Sequence, residues 1–222
     1  MKQRTFWLAA IAGVVFIALA AEMLSRMGGG GPGVPLALSP EAFFEDATAP
    51  QHTPEQHDLT IVVYSDYQCP HCRRADAALQ TLLREDPRIR VVYRDWPLLG
   101  PASLDAARFA IASQWQGRHG AFHTALMESP GRLGDETIRR AAAQAGVDWQ
   151  RLEEDLAAHE DEIDALLARN ATQAAQLGLV GTPGFLIGRY RVPGAIDLPT
   201  MRDIVRRARE DATARAAGAP PR

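Results

Sequence analysis

The feature that most constrains this chain is Cys69-Pro70-His71-Cys72, which holds its only two cysteines at the point where an apolar run gives way to a helical pattern. Before the motif, Thr60-Ile61-Val62-Val63-Tyr64 is a short, nearly continuous apolar stretch, as expected of a strand buried on both faces of a parallel sheet. After it, Cys72, Ala75, Leu79, Leu82 and Leu83 recur at helical spacing between Pro70 and Asp86, and Pro87 blocks continuation. Ile89-Arg90-Val91-Val92-Tyr93 predicts a second strand, closing a strand-helix-strand unit. The motif therefore falls at a helix N-terminus, with Pro70 at a favoured first helical position. Unpaired backbone N–H groups and the helix dipole there favour the thiolate of Cys69, and a protonated or hydrogen-bond-donating His71 adds to the effect. Cys72 belongs to the apolar stripe and is expected to be the less accessible sulfur.

Few uses fit two such cysteines. A structural staple would close a loop of only two intervening residues, constraining the unfolded chain far less than a long-range disulfide. A closed tetrahedral metal site needs two more ligands, and there is no second cysteine pair. His119 and His123, four apart on a predicted helix, are the best candidates to complete one, but the spacer before them far exceeds that of a compact finger. Redox exchange needs only the pair itself, so neither a metal nor a cofactor is expected. In that use Cys69 forms the mixed disulfide with substrate, and Cys72 closes on it or releases it.

The N-terminus carries an export pattern: Lys2 and Arg4, an uncharged stretch from Phe6 to Ala21, then Glu22. Ala18-Leu19-Ala20 before Ala21 fits a signal-peptidase site, whereas Phe6 to Leu24 could nearly span a bilayer, so residues 1–25 read as a signal peptide or an N-terminal membrane anchor. In either case Lys2 and Arg4 favour a cytoplasmic N-terminus, and everything after residue 25 is expected on the extracytoplasmic side of the cell envelope. Gly28-Gly29-Gly30-Gly31-Pro32-Gly33 opens a flexible linker over residues 26–54, ahead of a folded domain over 55–212. Apolar and charged fractions of 46% and 23% are those of ordinary soluble proteins, which excludes a multispanning membrane protein and a disordered chain. Net charge is -3. The first 30 residues hold three basic and one acidic side chain, so 21 basic face 26 acidic in the rest, and nothing attracts nucleic acid.

Residues 101–178 carry no convincing strand but four or five amphipathic segments. Leu104, Ala107 and Ile111 mark one, Phe122 and Leu126 another, and Ile138, Ala142 and Ala145 a third that stops at Gly146. Trp149, Leu152 and Leu156 continue the pattern, as do Ile163, Leu166, Leu167 and Leu177. Phe185-Leu186-Ile187, Gly188-Arg189 and Tyr190-Arg191-Val192 then predict strand, tight turn and strand, and Met201, Ile204, Val205 and Ala208 a final helix. Residues 213–222 read as a disordered tail.

Tyr64-Ser65-Asp66-Tyr67-Gln68-Cys69-Pro70-His71-Cys72, together with Val180-Gly181-Thr182-Pro183-Gly184-Phe185-Leu186-Ile187-Gly188, resembles the DsbA-like branch of the thioredoxin superfamily. The resemblance covers roughly residues 55 to 212. It implies an α/β thioredoxin-like fold with an inserted helical domain, here at about 101–178, and a cis Thr182-Pro183 peptide beside Cys69, Pro70 and Cys72 that pairs with extended substrate. Phe122-His123 with Leu126 resembles a recurrent helical segment of the same insert, which gives His123 a structural role. Asp66 and Tyr67 read equally as surface loop or as walls of a groove. Two departures stand out. Many relatives have a buried acid six residues before the first motif cysteine, where this chain has Val63. The best-known oxidases of the branch have valine where this chain has Thr182, a residue common in isomerase, reductase and some tethered oxidase relatives.

The expected activity is that of an exported protein thiol–disulfide oxidoreductase, most simply a dithiol oxidase acting on unfolded or cysteine-containing envelope proteins and recharged by a quinone-linked membrane partner. The alternatives are a reductase or isomerase served by an electron-donating membrane protein, and a non-catalytic metal-binding module. Residues 25 to 55 hold no dimerisation heptads, and a monomer is expected.

Overall fold

In the computed structural model, which describes residues 34–35 and 41–218, the motif helix bridges two parallel strands at the centre of a six-stranded sheet. The chain enters through β1 (Val34–Pro35), α1 (Glu41–Phe44) and β2 (Gln51–His52), then forms β3 (Leu59–Ser65), α2 (Pro70–Glu85) and β4 (Ile89–Asp95). Five helices follow: α3 (Pro101–Ala112), α4 (His119–Glu128), α5 (Asp135–Gln144), α6 (Trp149–Ala158) and α7 (Glu160–Gln176), with a 3-10 turn at Ser113–Gln116. The hairpin β5 (Gly184–Ile187) and β6 (Tyr190–Pro193) and the helix α8 (Leu198–Ala216) complete the domain. The strand order is β1-β6-β5-β3-β4-β2, with β3 and β4 parallel and every other pair antiparallel.

Every residue of β3 and β4 is buried, because both sheet faces are covered. On one face Ile61, Val63, Val91, Tyr93, Phe185 and Ile187 pack against Ala75, Leu79 and Leu82 of α2 and Met201, Ile204 and Val205 of α8. On the other, Val62, Tyr64, Val92 and Leu186 meet the helical insert through Ala106, Ile111, Phe122, Leu126 and Leu166. The two-residue alternation of a strand and the apolar stripe of each helix thus suffice to sort the layers. The expected order of strand, helix, strand, helical block, hairpin and helix is the observed one.

Three expectations need correction or fall out of reach. The packed chain begins well before residue 55: Phe43 and Ala49 are buried, and Gln51 and His52 pair with Val92 and Val91. Arginines of β4 recruit this segment, Arg90 bonding Glu45, Gln51 and the Phe44 carbonyl, and Arg94 bonding Asp46 and the Phe43 carbonyl. At the other end, α8 continues through Ala216 into the supposed tail, started by the Asp197 cap, whose carboxylate accepts the Thr200 N–H at 3.0 Å. The N-terminal signal or anchor over residues 1–25 lies outside the described residues, among which no helix is long and apolar enough to cross a membrane.

Candidate active site

Cys69 caps α2, with extended backbone (φ −74°, ψ 116°), Pro70 at the first turn, and its carbonyl accepting the Arg73 N–H at 3.2 Å. Its own N–H is tied back to the Asp66 carbonyl at 3.0 Å. Both cysteines are free thiols and both are buried, but Cys69 is 6% exposed against 2% for Cys72, and Pro70 and His71 beside it are exposed. The expected inequality of the two sulfurs is therefore present. Cys72 accepts the Asp66 N–H at 3.5 Å. Burial pushes its thiol up to about 12, reinforced by Cys69 and opposed by the Asp66 N–H and the Thr182 side chain.

The Thr182-Pro183 peptide is cis, and the Thr182 carbonyl accepts a hydrogen bond from the Cys69 thiol at 3.4 Å. The next residue, Gly184, leaves room for Leu179: a Cβ there would stand 2.6 Å from Leu179 Cδ1 and would push that side chain aside. Thus Cys69, Cys72, Pro70, Thr182 and Pro183 are brought together. His71 faces outward, and among the described residues its hydrogen bond is to Arg74, whose Nη2 donates to Nδ1 at 2.8 Å; neither sulfur is its partner.

Asp66 and Tyr67 belong neither to a surface loop nor to an open groove, each being 1% exposed. Asp66 fastens three segments: Oδ2 accepts the N–H groups of Leu98 (2.7 Å) and Leu99 (2.9 Å), and Oδ1 accepts the Gln68 N–H and the Ser103 hydroxyl, both at 2.8 Å. Tyr67 packs beneath the motif and bonds His123 Nδ1 at 3.0 Å, while His123 Nε2 meets Asp76 Oδ1 at 3.1 Å. This is the structural role expected of His123. Arg73 locks the motif from outside, donating from Nε to the Tyr67 carbonyl at 3.0 Å and from Nη1 to the Ser129 carbonyl. Its guanidinium carries its charge beside Asp66 and Cys69.

Sequence reading missed two sets of residues. Leu98 (47% exposed), Leu99 (50%) and Val180 (98%) form an apolar rim: Gln68 of the motif loop donates to the Leu99 carbonyl, and Val180 is two residues before Thr182. Nothing distinguishes an exposed leucine from a buried one in sequence. Asp76 and Asp95 are buried carboxylates near the motif; the spacing of Asp95 from Tyr93 and Val91, two and four residues, was the available signal for the latter.

A dithiol at a helix N-terminus, against a cis-proline loop on a thioredoxin-like sheet with a helical insert, defines the class of thiol–disulfide oxidoreductases. The chain belongs to the family of DSBA-like thioredoxin domains, whose model matches residues 60–206. Solved structures that share the fold include these three. The thioredoxin-like oxidoreductase from Silicibacter pomeroyi DSS-3 is 40% identical, with TM-score 0.72, over 77% of this chain and 97% of that one. The thiol-disulfide exchange protein alpha-DsbA2 from Wolbachia pipientis is 28% identical, with TM-score 0.71, over 76% and 93%. A periplasmic thioredoxin-like protein from Salmonella enterica serovar Typhimurium is 26% identical, with TM-score 0.66, over 79% and 98%. Among curated proteins, the Na(+)/H(+) antiporter NhaA 1 of Salinispora arenicola is 30% identical over 151 residues, which is 67% of this chain and 23% of that protein. The chain spans about a quarter of the length of the curated relatives it matches.

Proposed function

We propose that this protein is an extracytoplasmic dithiol oxidase that transfers the Cys69–Cys72 disulfide to cysteine-containing proteins. The observation that carries this reading is the inequality of the two sulfurs: one caps a helix at the rim, and the other lies beneath it with its thiol pushed up to about 12. A substrate thiolate attacks Cys69 Sγ, breaking the intramolecular bond and leaving Cys72 as the departing sulfur. A second substrate thiolate then attacks the substrate sulfur of the mixed disulfide and releases Cys69. Two electrons and two protons pass from substrate to enzyme. Any contact that stabilises the dithiol form relative to the disulfide makes the disulfide more oxidising, by about 30 mV for every 1.4 kcal/mol.

Substrate binding rests on the Thr182 backbone beside the cis-proline, with Pro70 and Pro183 lining the approach and Leu98, Leu99 and Val180 supplying apolar contact to unfolded segments. Disulfide donation fits an oxidising compartment outside the cytoplasm, in line with the basic N-terminal segment and with a solved relative described as periplasmic. A quinone-linked membrane protein is the proposed reoxidant. A reductase or isomerase fed by an electron donor is the second reading, supported by Thr182, whose side chain stabilises the Cys72 anion.

The test is Cys72→Ala expressed in cells. Cys69 then cannot resolve its mixed disulfides, and trapped substrates and redox partner appear as reducible adducts in non-reducing gels. Alkylation of the natural protein in the same cells separates the directions, since an oxidase is recovered mostly as disulfide. Absence of adducts with Cys69 intact and exported would overturn the enzymatic reading, and two free thiols in growing cells would reverse its direction.

A further inference from the structure

The motif is framed by two surfaces of different character, and one side chain ties both to it. Gln68, directly before Cys69, donates from Nε2 to the Leu99 carbonyl and the Ser103 hydroxyl, and its Oε1 accepts the Leu133 N–H at 3.3 Å. The first two bonds hold the exposed Leu98 and Leu99, the apolar side of the frame. The third holds the loop between α4 and α5, where the exposed Arg132 directly precedes Leu133. Arg73 fastens the same loop at its other end, through the Ser129 carbonyl.

Three arginines thus border Cys69: Arg73 and Arg74 near the start of α2, and Arg132 on the loop. Arg73 is half-buried, and the groups whose negative charge acts on its guanidinium are Asp66 and Cys69. The Asp66 oxygens are already taken by four other donors, and Arg73 Nη2 is enclosed without a partner. Arg74 is exposed and donates to His71 Nδ1; a guanidinium has no acceptor, so the ring nitrogen accepts and the positive charge stays uncompensated. Among the described residues none of the three is in an ion pair. The acids on the flanking helices, Glu128 at the end of α4 and Asp135 and Glu136 in the first turn of α5, are exposed and pair with none of them.

Arginines elsewhere on the surface are placed differently. On α8, Arg202 pairs with Glu85, Arg206 with Asp203 and Glu210, and Arg209 with Asp58 and Asp86. After residue 30 the chain holds 21 basic against 26 acidic side chains, so its overall field is weakly negative. An uncompensated cationic rim on such a protein, set around its reactive sulfur, draws negative charge to that sulfur and repels positive charge from it.

We propose that Arg73, Arg74 and Arg132 select substrate cysteines that have an aspartate or glutamate close by in sequence, while Leu98, Leu99 and Val180 take apolar residues of the same segment. This rests on the redox reading of the Cys69–Cys72 pair given above. An extended segment advances about 3.3 Å per residue, so a carboxylate two or three positions from the reacting cysteine stands about 7 to 10 Å away, within reach of a long side chain on the rim. The covalent step is unchanged: the substrate thiolate attacks Cys69 Sγ, the bond to Cys72 breaks, and Cys72 leaves with the electron pair. The rim acts before that step, on the rate of encounter and the lifetime of the encounter complex. Exposed charge pairs are individually weak and are screened by salt, so the selection is the sum of three and fades as ionic strength rises.

The test uses the full chain in its disulfide form and short reduced peptides holding one cysteine flanked by glutamates, by glutamines or by lysines. Reactions are quenched in acid and read by mass spectrometry. Each rate is divided by that of the same peptide with hydroxyethyl disulfide, an uncharged reference that removes the effect of the flanking charges on the peptide thiol. Wild-type protein is expected to prefer the glutamate peptide over the lysine peptide about tenfold at about 20 mM salt, and less than about twofold at about 0.5 M. Arg74→Glu combined with Arg132→Glu reverses the preference, and Arg132→Glu alone cuts it about threefold. Comparing peptides within one variant cancels any change in the reactivity of Cys69 itself. Equal normalised rates with wild-type protein, a preference indifferent to salt, or one that survives the double reversal overturns the proposal. Should the double variant not fold, an undiminished preference in Arg132→Glu does so. If wild-type protein oxidises none of the peptides, the redox reading itself falls.

Discussion

Arg94 and Asp95 are neighbours in β4, both fully enclosed, and they face opposite sides of the sheet with opposite fates. Arg94 is well matched: Nη1 donates to Asp46 Oδ2 at 2.6 Å and to Asn170 Oδ1 at 3.3 Å, and Nη2 to the Phe43 carbonyl at 3.2 Å, leaving only Nε without a partner. Asp95 has no hydrogen-bond partner at either oxygen. A buried charge with partners organises structure, whereas a buried carboxylate without them is driven toward its neutral form and stays ready to exchange a proton. The Arg94 face stitches the early segment around Asp46 and α7 to the sheet, and the Asp95 face lies behind the motif.

The largest break in this comparison comes from Arg94→Met. It leaves Asp46 with Thr48 and the more distant Arg169 and should cost about 3 kcal/mol in urea unfolding. The pH dependence of that loss follows from Asp46. Burial works to raise its carboxyl, but bonds from Thr48 and Arg94 hold it down at about 2. A lowered carboxyl contributes stability that is complete above its unfolded value of about 4 and is lost as pH falls toward 2, so Arg94→Met should flatten this acid limb.

Asp95 has the opposite sign. Its folded value of about 7 lies above the unfolded one, so the native state binds the extra proton and stability falls as pH rises from about 4 to about 7. Asp95→Asn removes that slope and should stabilise the protein by on the order of 2 kcal/mol above pH 7 and not at all below pH 4. Unfolding curves at the two pH values check this, and equal effects at both would break the contrast. A smaller change sharpens it from the other side: Tyr64→Phe loses only the 3.3 Å bond from the Tyr64 hydroxyl to Gln173 on the Arg94 face, with an expected cost of about 1 kcal/mol in the same assay.

Much of this was legible in the chain because it is local. The apolar run of β3, the stripe of α2 and the alternation in the hairpin are patterns within about 15 residues of each other, and the strand-to-helix junction put Cys69 at a helix end before any fold was known. The resemblance carried the cis Thr182-Pro183 peptide, which spacing alone could not supply. Asp76 escaped notice because it sits among the apolar positions of α2 as a charged residue, and in sequence a charge signals solvent. Asp66 and Tyr67 read as undecided for the same reason: their partners Leu98, Leu99, Ser103 and His123 lie more than thirty positions away.

The sequence by itself determined the unequal sulfurs, the order of elements and the two-sided burial of the central strands, since each follows from periodicity and from the end effects of a helix. Only the tertiary structure decided where the charges go. Which of two adjacent residues in β4 meets a partner depends on segments brought in from 48 positions before Arg94 and 76 after it, and no local pattern encodes that meeting. The same long-range packing set Asp95 beneath the motif with its carboxylate unmatched, because the helices that enclose it bring a tyrosine and a histidine close by and no cation into hydrogen-bond contact.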